Sequence, residues 1–307
     1  MLRVGEGHRA SRASALTSAI LQAVTYADLF DWPLAPIEIH RFLPIAASLD
    51  DVEGALASPE TLGLRRLHGL LVFPGRESIV ESRRRRAAAS ARMWPGAVRF
   101  ARAVASLPFV RLVAVTGSLA VGASEPGADV DLFIATEDRR LWLTRAAVIG
   151  VVRAGAARGV RLCPNYFLAE SALEMQERDV FTAHELAQMV PIAGGATYRD
   201  VLARNAWYRD FLPNHAPAPV AARAGPGRPL RLAEAALRAR PVDRLERWEM
   251  RRKVARLSAG TTSGEQQFDA TACKGHFEEH RRRTLRAFDE RLTGLGISCS
   301  PGGETQP

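Results

Sequence analysis

The sequence predicts a protein of the α+β class that contains more than one domain. Three observations support this prediction: a first third with helical spacing of apolar residues, a centre in which strand and helix patterns alternate, and a last third of basic helices. A chain of 307 residues is long enough for about two domains, each with its own core. The hydrophobic content of 47% and the charged content of 24% exclude a wholly disordered or collagen-like chain.

The N-terminal segment is expected to form helices followed by a β-hairpin. Apolar residues at helical spacing in residues 16–24 predict a first helix, and Pro36 and the acidic pair Asp50-Asp51 suit the starts of a second and a third. Two apolar stretches flank Pro74-Gly75, which predicts a hairpin turn there. Because three helices followed by a hairpin resemble a winged helix-turn-helix, residues 1–90 are assigned to a winged-helix-like domain.

The positive charge of the chain lies in its flanks. The formal net charge is +9, and its excess falls in residues 1–110 and 216–307, whereas residues 111–215 are close to neutral. Residues 83–86 are four consecutive arginines, which suit contacts with phosphates or a solvated helix start. A nucleic-acid partner is therefore possible through the basic flanks, although the third helix has an acidic start and suits partner docking equally well.

The central segment, residues 91–215, is predicted to form a sheet flanked by helices. A connecting helix leads to a strand at 110–115, and a second strand follows at 128–136. A helix at 139–159 and a third strand at 160–171 come next, followed by helical sequence at 181–212. Strand and helix alternate in this order in mixed α and β cores.

The C-terminal segment, residues 216–300, is predicted to be a basic helical region, and residues 301–307 a disordered tail. A long helix kinked at Pro241, a polar loop at 260–267 and a final helix near 276–292 are expected. The three cysteines are too few and too scattered for a disulfide framework or a zinc site. No apolar stretch is long enough for a membrane span, so a cytoplasmic protein without membrane contact is expected.

The residues with the clearest chemistry are Thr116-Gly117-Ser118 and, ten residues later, Asp129-Val130-Asp131. Side chains at i and i+2 of a strand share one face, so Asp129 and Asp131 are expected side by side. Two neighbouring carboxylates repel unless a cation lies between them, and oxygen ligands suit Mg²⁺. Gly117 and Ser118, where a strand ends and a helix begins, supply backbone N–H groups and a hydroxyl for a phosphate.

This pattern resembles the nucleotidyltransferase superfamily that includes DNA polymerase beta and the antibiotic nucleotidyltransferases. The resemblance implies that Asp129 and Asp131 bind Mg²⁺ and are catalytic, and that Gly117 and Ser118 bind phosphates of a nucleoside triphosphate. Active members carry a third carboxylate on a later strand. Here the third position is Glu170, or Asn165, or absent, and Glu170 is the catalytic candidate. The leading helical module also resembles that of bacterial nucleotidyltransferase-domain proteins.

Three functions are consistent with these residues. The first is a magnesium-dependent nucleotidyltransferase that transfers a nucleoside monophosphate from an NTP to an unidentified hydroxyl acceptor, on a small molecule, an RNA or a protein. The second is a nucleic-acid- or partner-binding regulator with a catalytically weakened nucleotidyltransferase fold, and the third is an antitoxin-like enzyme that modifies a partner protein. His184-Glu185 resembles the start of a zinc motif, but Gln188 replaces the second histidine, so this pair is assigned to helix packing.

Overall fold

The computed structural model describes residues 3–219, 228–259, 268–274 and 277–297. In these residues the helices are α1 (Arg3–Asp28), α2 (Pro36–Arg41), α3 (Leu49–Ala55), α4 (Ile79–Ala105), α5 (Gly117–Ala120), α6 (Leu141–Ala156), α7 (Val180–Gln188), α8 (Gly195–Arg204), α9 (Tyr208–Phe211), α10 (Arg228–Leu237), α11 (Arg240–Ala259) and α12 (Phe277–Gly294). The strands are β1 (Arg65–Leu67), β2 (Leu70–Val72), β3 (Val110–Thr116), β4 (Val130–Thr136), β5 (Leu162–Ala169), β6 (Val190–Ala193) and β7 (Ala272–Lys274). The predicted tail 301–307 and polar loop 260–267 lie outside the described residues.

A five-stranded mixed sheet forms the centre of the protein, which confirms the α+β class. Its strand order is β6-β3-β4-β5-β7, in which β4 and β5 are parallel and the other neighbours antiparallel. Side chains of one face, including Val113, Leu132 and Phe167, form a core with α4 and α6. The opposite face, which includes Phe133, packs against α7, α8 and α9. The flanking helices therefore cover both faces of the sheet.

Two edge strands of this sheet were not predicted. Residues 190–193 lie within the segment predicted to be helical, 181–212, but they form β6 at one edge of the sheet. Pro191 is compatible with that place because an edge strand has one side free of ladder hydrogen bonds. Strand β7 comes from the C-terminal segment and pairs with β5, so residues of that segment complete the central sheet.

The N-terminal unit has its own apolar core. Helices α1, α2 and α3 enclose a cluster of buried residues that includes Ile20, Ile39 and Leu71. The hairpin β1–β2 turns at His68-Gly69, whose φ angles are 52° and 82°, as a two-residue hairpin turn with two positive φ angles requires. Pro74-Gly75 forms a turn as predicted, but the prediction that it closes the hairpin was wrong, because this turn connects β2 to α4.

The predicted long helix of the C-terminal segment is divided into α10 and α11. Pro241 lies in the first turn of α11, where its missing N–H leaves no helical hydrogen bond unmade. Helix α11 packs on α6, and α12 packs on α1 and α7. None of the described helices combines the length and the apolar character that crossing a membrane requires.

Candidate functional site

The predicted Gly-Ser and Asp-x-Asp segments meet at one end of the central sheet, which we call the Asp131 end. Strands β3 and β4 are antiparallel, and Thr116 at the end of β3 pairs with Asp131 near the start of β4. Gly117 and Ser118 begin α5 directly after Thr116. The antiparallel register therefore brings together the two segments that lie ten residues apart in the chain.

Gly117 allows the close approach of the Asp131 carboxylate. Its φ angle is +64°, a value that glycine adopts without strain. A Cβ atom built on Gly117 would overlap Oδ2 of Asp131. A residue with a side chain is thus excluded by both the backbone conformation and the position of the carboxylate.

Asp131 is a half-buried carboxylate with no basic partner in the described part of the chain. Burial raises its pKa to about 6, and the negative charge of Asp129 contributes to the increase. Nδ2 of Asn165 donates a hydrogen bond to Oδ1 of Asp131 at 3.1 Å, and the thiol of Cys163 also contacts the carboxylate. These neutral donors leave the charge of Asp131 uncompensated.

Asn165 has a second feature that points to a ligand. Its Oδ1 atom is buried and accepts no hydrogen bond from the described residues. A buried carbonyl oxygen without a donor is unfavourable, and native structures usually satisfy it with water, a ligand or an ion. The sequence prediction named Asn165 as an alternative third position, and the structure places it beside Asp131.

Asp129 is close enough to raise the pKa of Asp131, but it is more exposed. It precedes β4, and its Oδ1 lies 2.8 Å from Nε of Arg161. The side chains of Asp129 and Arg161 are 54% and 65% exposed, and ion pairs in that position contribute little to stability. Asp129 can therefore exchange Arg161 for another cation at low cost.

Glu170, the predicted third carboxylate, does not reach this site. It follows β5 at the opposite end of the sheet, whereas Asp131 is paired with Cys163 at the start of that strand. Seven residues of extended chain span roughly 20 Å. Glu170 instead lies 3.7 Å from Nε of Arg111, and burial raises its pKa. The structure thus places Glu170 away from Asp129 and Asp131.

Glu185 on α7 is the carboxylate that sequence reasoning missed. Burial raises its pKa to about 7, with a further contribution from the negative charge of Asp131, so the two carboxylates are near one another. Glu185 lines a small cavity of about 30 Å³ together with Thr116 and Asn165. No spacing rule relates Glu185 to Asp131, since the contact arises only when α7 packs on the sheet.

The neighbouring His184 has a packing role, in agreement with the prediction for this residue. Its ring stacks on Tyr26 at a centroid distance of 3.8 Å and on Phe42 at 5.3 Å. Its Nδ1 lies 2.8 Å from the carbonyl oxygen of Val180, which acts as the acceptor. Burial lowers the pKa of His184 to about 4, so the ring is neutral at physiological pH.

A large cavity of about 1090 Å³ opens from the Asp131 end. Gly117, Ser118 and Glu185 line it on one side, and α1 and α2 of the N-terminal unit line it on the other. Ser118 is exposed, and its hydroxyl lies 2.9 Å from that of Ser124. The cavity therefore gives a ligand access to the Gly117-Ser118 turn.

The arginines of residues 83–86 are engaged within the protein. Arg83 binds both carboxylate oxygens of Glu38, at 2.7 and 2.9 Å, and Arg86 binds Glu125 at 2.7 Å. Arg84 lies 3.6 Å from Glu81, and Arg85 donates to the hydroxyl of Ser82. Arg83 and Arg86 therefore join α4 to neighbouring elements, whereas these contacts of Arg84 and Arg85 lie within α4.

The donor set suits a metal held jointly with a substrate. No group of three or more His, Cys, Asp and Glu side chains with metal-site geometry occurs in the described ranges. The carboxylates of Asp129 and Asp131 are nevertheless close together, and the amide of Asn165 contacts Asp131 through Nδ2 while its Oδ1 has no donor among the described residues. Mg²⁺ is commonly held by one or two carboxylates plus substrate phosphates and water, so these residues fit it.

Comparison of the chain with models of protein families, with curated proteins and with solved structures finds no match in any of the three.

Proposed function

We propose that the protein is a magnesium-dependent nucleotidyltransferase that transfers a nucleoside monophosphate from an NTP to an acceptor hydroxyl. The observation that carries this proposal is the Asp131 carboxylate, which lies against a glycine whose Cβ position it occupies and is uncompensated by any described basic side chain. Such an arrangement lowers stability unless a cation binds. It therefore favours a metal-binding function over a structural one.

Each residue at the Asp131 end has a role in this proposal. Asp129 and Asp131 would hold Mg²⁺, with Oδ1 of Asn165 as a neutral ligand. When bound, the ion neutralises charge on the phosphates. The exposed Ser118 hydroxyl and the backbone N–H groups of the Gly117-Ser118 turn would contact the β- and γ-phosphates. The absence of a Cβ at Gly117 lets those phosphates approach the carboxylates.

Glu185 is proposed as the general base. The acceptor oxygen forms a bond to the α-phosphorus, the bond between the α-phosphorus and the bridging oxygen breaks, and pyrophosphate leaves. The proton of the acceptor hydroxyl passes to the carboxylate of Glu185. A base is most effective when its pKa is near the operating pH, and the pKa of Glu185 is raised to about 7.

The regulator function receives less support from the same residues. The order of α1, α2, α3 and the β1–β2 hairpin, with a bridge between Leu34 and Leu71, is consistent with a winged-helix-like module, and we propose that assignment. The first turn of α3 is acidic, however, and Arg83 and Arg86 are paired with carboxylates. This surface therefore offers few free cations for a phosphate backbone.

The proposal is tested by titrating ATP into the protein with Mg²⁺ and with EDTA, in a calorimeter. We expect magnesium-dependent binding that Asp131→Asn reduces by at least tenfold and that Glu170→Gln leaves unchanged. Transfer from α-labelled ATP to acceptors in a cell lysate is expected to fall by about 10²-fold in Glu185→Gln, with ATP binding retained, because a general base contributes that much. Unchanged ATP binding in the double variant Asp129→Asn/Asp131→Asn would refute the assignment.

A further inference from the structure

The large cavity is bigger than one small ligand needs. Pockets for a drug-sized molecule typically have volumes of about 300 to 1000 Å³. The volume here is about 1090 Å³, and one side of it is the Gly117-Ser118 turn at which the proposed nucleotide binds. The cavity therefore has room for a second molecule next to a nucleotide.

Part of the cavity wall is made of aromatic and apolar side chains. The rings of Tyr26, His184 and Phe42 are stacked with interplanar angles of 19° and 25°, which gives this wall a rigid aromatic slab. Further apolar lining residues from the same side are Phe30, Trp32 and Ile37. Ile37 is 56% exposed although it is a large aliphatic residue, and it lines the cavity.

The charges of the cavity wall are mostly compensated within the protein. Glu38 is paired with Arg83, and Arg86 is paired with Glu125. Arg41 remains, and its guanidinium contacts the neutral His215 ring and the carbonyl oxygen of Ala187. Among the described lining residues, Arg41 is the arginine without a carboxylate partner, and the carboxylate of Glu185 lines the cavity as well. Such a wall suits an uncharged apolar ligand and does not suit a polyanion, which needs several cations.

We infer that the acceptor is an uncharged, largely apolar or aromatic small molecule that carries a hydroxyl and binds against the rings of Tyr26, Phe42 and His184. This inference rests on the proposed function, and it gives the N-terminal unit, together with α7, a part in acceptor binding. The product is a phosphodiester between the acceptor oxygen and the nucleoside monophosphate, with pyrophosphate as the leaving group and Glu185 as the proton acceptor.

The test uses N-phenyl-1-naphthylamine, an uncharged aromatic probe whose fluorescence rises in apolar sites, with the full chain. We expect saturable binding to the wild type. Ala27→Phe, which fills space beside the rings, is expected to weaken binding at least tenfold, and Ile37→Gln at least threefold. Leu245→Gln is the matched control, since Leu245 is an exposed aliphatic residue of α11 that does not line the cavity. It is expected to leave binding unchanged.

Three results would overturn the inference. The probe would fail to bind the wild type, or Ala27→Phe and Ile37→Gln would bind it as tightly as the wild type does, or a DNA duplex would displace it. In the transfer assay, labelled product that partitions into organic solvent supports the inference, and label confined to nucleic acid or protein contradicts it. Asp131→Asn separates the two proposals, because it is expected to reduce ATP binding while the probe still binds. Failure of ATP binding with intact probe binding would refute the proposed function and the assignment of the bound molecule as its acceptor, while the apolar binding site itself would stand.

Discussion

Charged side chains are concentrated at both ends of the central sheet, but the carboxylates of the two ends differ in whether an arginine compensates their charge. At the end opposite Asp131, which we call the Arg111 end, one arginine contacts Glu137, Glu170 and Glu234. Hydrogen bonds from Arg238 lower the pKa of Glu137, and Arg111 contributes to the same shift. Against the effect of burial, the hydrogen bond from Arg111 also lowers the pKa of Glu234.

At the Asp131 end the pKa shifts have the opposite sign to those of Glu137 and Glu234. Burial raises the pKa of Asp131 and of Glu185, and the nearby carboxylates contribute. Acids paired with arginine stabilise the fold, whereas acids that face one another destabilise it until a cation arrives. The comparison indicates that the Arg111 end has a structural role and that the Asp131 end is organised for a ligand.

The largest effect is expected at the Arg111 end. Arg111→Met leaves Glu234, a buried carboxylate, without its main partner, and breaking such a pair lowers the free energy of unfolding by about 3 kcal/mol. Urea denaturation measures this loss. Arg161→Met at the Asp131 end is the control, because its ion pair with Asp129 is exposed and contributes less than about 1 kcal/mol. If both variants lost the same free energy of unfolding, the Arg111 end would not differ from the Asp131 end in its contribution to stability.

The next effect concerns Gly117. Gly117→Ala places a methyl group on the Asp131 carboxylate, so the affinity for MgATP is expected to fall about a hundredfold, equivalent to about 2.8 kcal/mol. Gly122→Ala is the control, since Gly122 also has a positive φ but a Cβ there meets no atom within 4 Å. Both variants share the backbone strain, and only Gly117→Ala loses nucleotide binding. A similar loss in both would show that strain alone is responsible.

The third effect is a higher free energy of unfolding of Asp131→Asn relative to the wild type, and its size depends on pH. Since the pKa of Asp131 is raised to about 6 in the folded state, the native protein holds a proton there that the unfolded chain releases near pH 4. The wild type therefore loses stability relative to Asp131→Asn as the pH rises from 4 to 6. The advantage of Asp131→Asn in EDTA is expected to be near zero at pH 4 and on the order of 2 kcal/mol at pH 7. Thermal unfolding across this range measures it, and a constant difference would contradict it.

The smallest effect is expected for Glu170→Gln. The side chain is 39% exposed and its distance to Arg111 is 3.7 Å, so its removal changes the free energy of unfolding by less than about 0.5 kcal/mol. The transfer rate is expected to remain within about twofold of wild type, since Glu170 is at the Arg111 end. A rate that fell as far as that of Glu185→Gln would restore Glu170 to the catalytic set.

Sequence reasoning succeeded where the signal was local. The strands β3, β4 and β5 coincide with runs of apolar residues that predict them. The spacing of the Gly117-Ser118 and Asp129-Asp131 segments identifies both as candidate site residues. It failed where a short segment depends on distant partners. Strand β7 has only three residues, and its partner strand β5 lies about a hundred residues earlier in the chain. Such pairing leaves no periodic pattern in so short a segment.

Glu185 shows the same limit within the site. Glu185 lies in a helix of mixed apolar and polar residues, and nothing in that pattern connects it with Asp131. Together with His184 it resembles instead the start of a zinc motif. Glu170 was preferred because the third strand ends in an acid. The register of β4 and β5 then placed that acid at the opposite end of the sheet.

Local chemistry in the chain was thus enough to specify the α+β class, the turn at Gly117 and the pair of acids, because backbone conformation and strand alternation depend on neighbouring residues. The packing of α7 and of the N-terminal unit decided which third carboxylate faces Asp131 and what lines the cavity. Those features depend on side chains that are far apart in the chain and meet only when the helices cover the sheet, so no spacing rule encodes them.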